Sequence, residues 1–92
     1  MSNRVFVDTA GWANLFVVSE PYHNQAKEWF INARKQGVEM VTTNYVVAEF
    51  VALLYSPLRV FPPRLFEYVD GIKTASYVNL VYIDSVIDDH NP

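Results

Sequence analysis

Residues 4–17, with the sequence RVFVDTAGWANLFV, decide the fold class of this chain. A largely apolar run at residues 4–7 predicts a short strand that ends at Asp8. The next segment predicts a helix, because its large apolar residues follow the three- and four-residue spacing of one helix face: Trp12, Leu15 and Phe16. Asp8 or Thr9 is a suitable N-cap for that helix. A strand that runs directly into a helix is typical of parallel α/β sheets.

The rest of the chain continues the alternation of strands and helices. We expect further strands at 38–42 and 78–83, and further helices that begin near residues 19–21, 43–45, 62–63 and 84–86. The order β-α-α-β-α-α-β-(α) predicts an α/β fold, with a parallel β-sheet flanked by helices on both faces. The third helix, 45–55, is apolar nearly all round, so we expect it to be buried on most sides.

Length and composition limit the possible functions. The chain has 92 residues, enough for one domain, and a hydrophobic fraction of 51% excludes a disordered chain. It has no cysteine, which excludes disulfides and thiolate zinc sites, and no apolar run long enough for a transmembrane helix. A net charge of −3 argues against broad electrostatic binding of nucleic acid. An enzyme that approaches phosphates through a bound cation is still allowed.

Two carboxylates occupy unusual places in this pattern. Asp8 follows the first strand at its C-terminal end, where parallel sheets place their ligand sites. Glu49 is the only charge in the apolar third helix, so it should be paired, protonated or bound to a metal. If that helix packs near the end of the first strand, the two acids converge and suit Mg²⁺ or Mn²⁺. Nearby groups that could hold water or ligand are Thr9, Asn44 and, if it is not used as a cap, Thr43.

Simpler explanations exist for both acids. Asp8 could serve only as an N-cap, because Asp is among the preferred residues at that position. Glu49 could form an ion pair with a distant arginine: Arg4, Arg59 or Arg64. Both explanations remain open beside the metal site.

The sequence around these acids resembles a known family. The string Val5-Phe6-Val7-Asp8-Thr9-Ala10-Gly11-Trp12 is similar to the opening of PIN-domain proteins, particularly the VapC-like toxins of prokaryotic toxin–antitoxin pairs. The string Thr42-Thr43-Asn44-Tyr45-Val46-Val47-Ala48-Glu49 resembles that family's second strand end and acidic third helix. The segment Tyr22-His23-Asn24-Gln25-Ala26 is similar to the opening of its second helix.

The resemblance implies a metal-dependent endoribonuclease that acts on single-stranded RNA. Asp8 and Glu49 would then be two of its metal-binding acids, and Thr9 would be the small hydroxyl residue beside the site. VapC-like proteins are usually cytoplasmic homodimers, inhibited by an antitoxin protein that lies in a groove beside the site. Trp12 and Phe16 could line such a groove.

The resemblance also indicates that part of the domain is missing. A complete domain of that family has on the order of 130 residues, and its third acidic position has no counterpart here. Asp84, Asp88 and Asp89 do not align with it. We therefore expect a single PIN-like domain over residues 1–92, incomplete at its C-terminal end, with an incompletely covered sheet. The open sheet could pair with a second copy, even by domain swapping.

Three functions are consistent with the sequence. The first is a PIN-type ribonuclease, or a fragment of one. The second is a catalytically inactive PIN-like module that binds a partner or dimerises. The third is a receiver-like phosphate-acceptor domain, which is disfavoured because the three glycines form no phosphate-binding loop and a receiver needs no acid at Glu49.

Overall fold

The computed structural model describes residues 3–84. The elements are β1 (Arg4–Phe6), α1 (Thr9–Phe16), α2 (His23–Lys35), β2 (Glu39–Thr43), α3 (Asn44–Tyr55), α4 (Arg64–Thr74) and β3 (Val78–Val81). This is the predicted order of elements. The helix expected from residues 84–86 lies outside the described residues. No helix within residues 3–84 has the length and apolarity needed to cross a membrane.

The three strands form one parallel sheet in the order β1-β2-β3. Arg4 of β1 pairs with Glu39 of β2, and Met40 of β2 pairs with Val78 of β3. Two helices connect β1 to β2, and two connect β2 to β3. Parallel strands need a long crossover connection of this kind. The predicted parallel α/β fold is confirmed. Helices were expected on both faces of the sheet, and those within residues 3–84 lie on one face.

The core lies on one face of this sheet. Alternate residues of β2 point into it, and Met40 and Thr42 are both completely buried. Each of the four helices contributes at least one buried side chain to the same cluster, as follows: Trp12, Ala13, Ala33, Val46, Phe50, Leu54, Leu65 and Ile72. The helices of the described residues thus pack together over the Met40 side of the sheet.

The opposite face of the sheet is open in residues 3–84. Phe6 of β1 and Val81 of β3 are 57% and 41% exposed. Phe6 pairs with the half-buried Val41 of β2, and Val81 pairs with the half-buried Thr43 two residues further along β2. Phe6, Val41 and Val81 all lie outside the core cluster. Within the described residues, this face of the sheet is therefore uncovered.

The expectation that α3 is buried on most sides was wrong. Only Val46, Phe50 and Leu54 are buried, and they form one stripe of the helix. The exposed residues of α3 are Tyr45, Ala48, Glu49, Ala52 and Tyr55. The helix packs on α1, α4 and β2, and no described element covers its remaining face.

A glycine allows the tight turn between α2 and β2. Gly37 has a φ of 70°, a left-handed conformation that glycine adopts without a steric cost. Arg34 in the last turn of α2 donates a hydrogen bond to the Val38 carbonyl at 2.8 Å. Its guanidinium carbon lies 3.8 Å from the ring centre of Tyr77, just before β3. Arg34 therefore ties the end of α2 to the start of the third strand.

Candidate functional site

Asp8 lies at the C-terminal end of β1 and caps α1. Its Oδ1 accepts a hydrogen bond from the backbone N–H of Gly11 at 2.8 Å. A Cβ on Gly11 would lie 2.9 Å from Cγ1 of Val7 and 3.3 Å from Oδ1 of Asp8. Gly11 is therefore needed for the close approach of this carboxylate to the helix. The proposed N-cap role of Asp8 is confirmed, and it leaves the second carboxylate oxygen available.

A buried chain of hydrogen bonds holds the peptide that precedes Asp8. The indole N–H of Trp12 donates to Oγ1 of Thr42 at 3.1 Å, and that hydroxyl donates to the Val7 carbonyl at 3.0 Å. The Val7 N–H donates to the carbonyl of Val41 at 2.8 Å. The backbone N–H and the backbone carbonyl of Val7 are thus both hydrogen-bonded to β2. Sequence reasoning assigned no role to Thr42, because a contact across 35 residues leaves no local pattern.

Thr9 links the end of β1 to Glu49 on α3. Its Oγ1 donates a hydrogen bond to Oε1 of Glu49 at 3.1 Å, across 40 residues of sequence. Because Thr9 is adjacent to Asp8, this contact brings the two acids to the same edge of the sheet. Both carboxylates are exposed and Thr9 is half-buried. The prediction that Glu49 is a buried acid was therefore wrong, whereas the expected approach of α3 to the end of β1 is observed.

The arginines proposed as partners of Glu49 lie elsewhere. Arg4 forms an ion pair with Glu39 at 2.8 Å. Neither Arg59 nor Arg64 is paired with Glu49. The hydroxyl of Thr9 is the hydrogen-bond partner that the structure provides for this acid.

The remaining site candidates, Thr43 and Asn44, have structural contacts. Oγ1 of Thr43 accepts the N–H of Val46 and so caps α3. The Asn44 side chain accepts the N–H of Ile83 at 2.7 Å and donates to its carbonyl at 3.3 Å. Asn44 therefore holds the segment that follows β3 against the start of α3. A further role of either residue in binding water or nucleic acid stays a prediction.

The carboxylates of Asp8 and Glu49 fit a hard divalent cation by their chemistry. Mg²⁺ is commonly bound by one or two carboxylates, with waters and substrate phosphates completing its shell. Within residues 3–84, one oxygen of each carboxylate carries a hydrogen bond and the other carries none. No third acid or histidine joins them in the described part of the chain. The donor set is thus two exposed acids joined through Thr9.

An apolar groove of about 410 Å³ lies between α1, α2 and α4. Its lining includes Trp12, Leu15, Phe16, Phe30, Ile72 and Tyr77. Phe16 stacks on Tyr68 with ring centres 5.0 Å apart, and it also contacts Trp12 and Phe50. Trp12 is thus a core residue, Phe16 packs against the core, and both line this groove. That an antitoxin lies in this groove stays a prediction.

A second cavity, of about 320 Å³, lies beside the free edge of β1. It is lined mainly by apolar residues, among them Val5, Phe6, Leu15 and Trp29. Asp8 is also at its rim. The cavity therefore continues from the unpaired edge of the sheet to the candidate site.

The fold is similar to that of a known toxin. The crystal structure of Mycobacterium tuberculosis VapC20, a toxin that cleaves the sarcin–ricin loop, matches with a TM-score of 0.70 and 24% sequence identity. The match covers 91% of this chain and 60% of that toxin. It confirms the PIN-like fold. No protein-family model and no curated protein matches the sequence.

Proposed function

We propose that this chain is a metal-dependent endoribonuclease of the PIN/VapC type, or a fragment of one, that acts on single-stranded RNA. The observation that carries the proposal is the Thr9–Glu49 hydrogen bond, which joins α3 to the end of β1 beside Asp8. The fold shared with VapC20 supports it. Because the chain spans 60% of that toxin's length, the proposal concerns the part of such a site that this chain carries.

In this proposal Asp8 and Glu49 would hold Mg²⁺ or Mn²⁺. A bound divalent cation lowers the pKa of a coordinated water and offsets negative charge at a phosphate. Thr9 is a positioning residue, because its hydroxyl orients Glu49. The Gly11 N–H does the same for Asp8, and the rigid Val7 peptide sets the direction in which Asp8 leaves the strand.

The proposal is tested by cleavage of a mixed pool of single-stranded RNA by the 92-residue chain. We expect cleavage with Mn²⁺ or Mg²⁺, none with EDTA, and a loss of activity in Asp8→Asn and Glu49→Gln. Asn is as good an N-cap as Asp, so Asp8→Asn should leave α1 folded. Glu28→Gln, an exposed acid of α2, is the matched control and should keep full activity. Cleavage that survives EDTA or Asp8→Asn would refute the proposal.

The antitoxin would occupy the groove between α1, α2 and α4. An apolar groove suits an amphipathic helix, because such helices enter grooves with regularly spaced apolar anchors. Ile31, which is exposed and lines the groove, offers the test. We expect Ile31→Asp to weaken binding of the cognate antitoxin and to leave RNA cleavage unchanged.

A second candidate function is that of an inactive binding or dimerisation module. The open sheet face of Phe6, Val41 and Val81 favours it, because exposed apolar sheet faces and free edges invite pairing with another chain. A homodimer, with or without domain swapping, would cover this face. Sedimentation of the wild-type chain and of Phe6→Asp distinguishes the cases, since a dimer formed through this face should dissociate in the variant. A folded dimer that never cleaves RNA would favour this function over the nuclease.

A further inference from the structure

The loop between α3 and α4, residues 56–63, is bound tightly to the end of α3. Leu58 and Val60 pack against the core, and their N–H groups donate to carbonyls in the last turn of α3 at 3.1 and 2.7 Å. Arg59 lies between them and is exposed. The loop therefore presents Arg59 to solvent from a rigid base.

Arg59 has an unfavourable backbone conformation. Its φ is 57°, in the left-handed region, which carries a steric cost for every residue with a Cβ and none for glycine. Residues held in such conformations gather at binding sites. An arginine at this position therefore invites a search for what its side chain binds.

Arg59 shares a cavity with a second arginine and an exposed aromatic ring. The cavity has a volume of about 370 Å³, and Arg59, Phe61 and Arg64 line it. The guanidinium carbon of Arg59 lies 5.7 Å from the ring centre of Phe61, which is 45% exposed. Tyr55, at the end of α3, supports Phe61 edge-on at a centre distance of 5.5 Å. Glu67 is the acid in the lining.

The cavity contains two positively charged side chains, although the chain as a whole is acidic. The net charge is −3, yet neither Arg59 nor Arg64 is ion-paired within the described part of the chain. Arg4, in contrast, is paired with Glu39. Two unpaired guanidinium groups beside an exposed ring form a site for a polyanion with flat aromatic groups. Single-stranded RNA has that chemistry, because its bases stack on aromatic side chains and its phosphates bind arginine.

We infer that the Arg59–Phe61–Arg64 cavity binds a nucleotide of single-stranded RNA next to the cleavage site. Phe61 stacks on an unpaired base, and the two arginines bind the adjoining phosphates. Tyr55, whose ring contacts Phe61, is six residues beyond Glu49 on α3, a rise of roughly 9 Å along the helix axis. A strand of a few nucleotides reaches from one to the other. The inference rests on the proposed ribonuclease function.

An acidic peptide is the competing ligand. It would use the arginines equally well but would gain nothing from the face of Phe61, and Glu67 would repel it as it repels a phosphate. The exposed ring therefore favours RNA. A comparison of poly-glutamate and RNA as competitors separates the two ligands.

The test is equilibrium binding of a fluorescently labelled single-stranded RNA to the Asp8→Asn chain in EDTA, where no cleavage can occur. The loop variants are Arg59→Gly, Phe61→Leu and Arg59→Gly combined with Arg64→Gln. Arg59→Gly removes the steric cost of the left-handed backbone, and Phe61→Leu retains most of the apolar volume. Both variants should therefore fold, and thermal unfolding checks this. Lys35→Gln, which removes an exposed positive charge from α2, is the matched control.

We expect Phe61→Leu to weaken binding about 5- to 150-fold, the range for the loss of one stacked base. The double arginine variant should also reduce the salt dependence, by a slope of about 0.7 for each phosphate that is no longer bound. Lys35→Gln should change neither quantity. Unchanged binding in the folded loop variants would overturn the inference, and so would displacement of RNA by poly-glutamate as effectively as by unlabelled RNA.

The outcomes also separate this inference from the proposed function. Metal-dependent cleavage by the parent chain, together with normal RNA binding by the loop variants, would overturn the inferred role of the cavity and leave the proposed nuclease function intact. Binding that depends on the loop without any cleavage would support the cavity and refute the nuclease. A parent chain that neither binds nor cleaves RNA would overturn both.

Discussion

Replacement of Thr42 by valine should destabilise the protein by more than its size suggests. The completely buried hydroxyl accepts from the Trp12 indole and donates to the Val7 carbonyl. Valine has nearly the same shape, so its main effect is to leave these two buried groups without a partner. Each orphaned group costs about 1–3 kcal/mol, and the added methyl group returns about 0.8 kcal/mol. The net loss in the free energy of unfolding is about 1–5 kcal/mol.

Urea unfolding of the wild type, Thr42→Val and Thr42→Ser measures this loss. Serine keeps the hydroxyl and removes one methyl group, so it should cost only about 1 kcal/mol. Valine should therefore be the more damaging change, because it alone removes the hydroxyl. Thr42→Val that is as stable as Thr42→Ser, or more so, would refute this reasoning. If the Val7 peptide also directs Asp8, Thr42→Val should lower metal-dependent cleavage even at temperatures where the variant is fully folded.

Three further substitutions probe Gly11, Arg59 and Asn44. Gly11→Ala should lower stability by about 1–3 kcal/mol, because its Cβ would lie 2.9 Å from Cγ1 of Val7; thermal unfolding gives the value, and an unchanged midpoint would contradict the close approach. Arg59→Gly should not lower the midpoint, since the relief of its left-handed φ of 57° offsets the added freedom of the unfolded chain. Asn44→Ala should speed amide hydrogen exchange at Ile83, whereas Asn44→Asp keeps the acceptor for that N–H and should preserve its protection.

The local features of the fold could be predicted from the sequence. Asp8 was predicted as a possible cap of α1, and the structure confirms it. The buried face of α1 could also be predicted, because Trp12 follows the spacing of a helix face and is buried in the structure. These features depend on residues only a few positions apart, for which side-chain chemistry and helix geometry are sufficient.

Features that depend on the assembled layers could not be predicted in the same way. Hydrophobic pattern alone indicated a buried Glu49, yet α3 is packed along a single stripe and this acid is exposed. The link from Thr9 to Glu49 spans 40 residues, and the pairing of Asn44 with Ile83 spans 39. Such contacts are set by the packing of α3 against the sheet, which no local pattern encodes. The prediction that the two acids approach each other relied on fold topology rather than on spacing.

The hydrogen bond between Thr42 and the Val7 carbonyl also has a consequence for synthesis. Thr42 is added to the chain 35 residues after Val7, which takes about 2–7 s at typical translation rates of about 5–20 residues per second. Until then β1 has no strand to pair with, because its only neighbour in the described sheet is β2. Parallel pairing is also slow to form. The interval between the emergence of Val7 and that of Thr42 from the ribosome is therefore the stage of synthesis at which the apolar first strand is most open to aggregation or to capture by a chaperone.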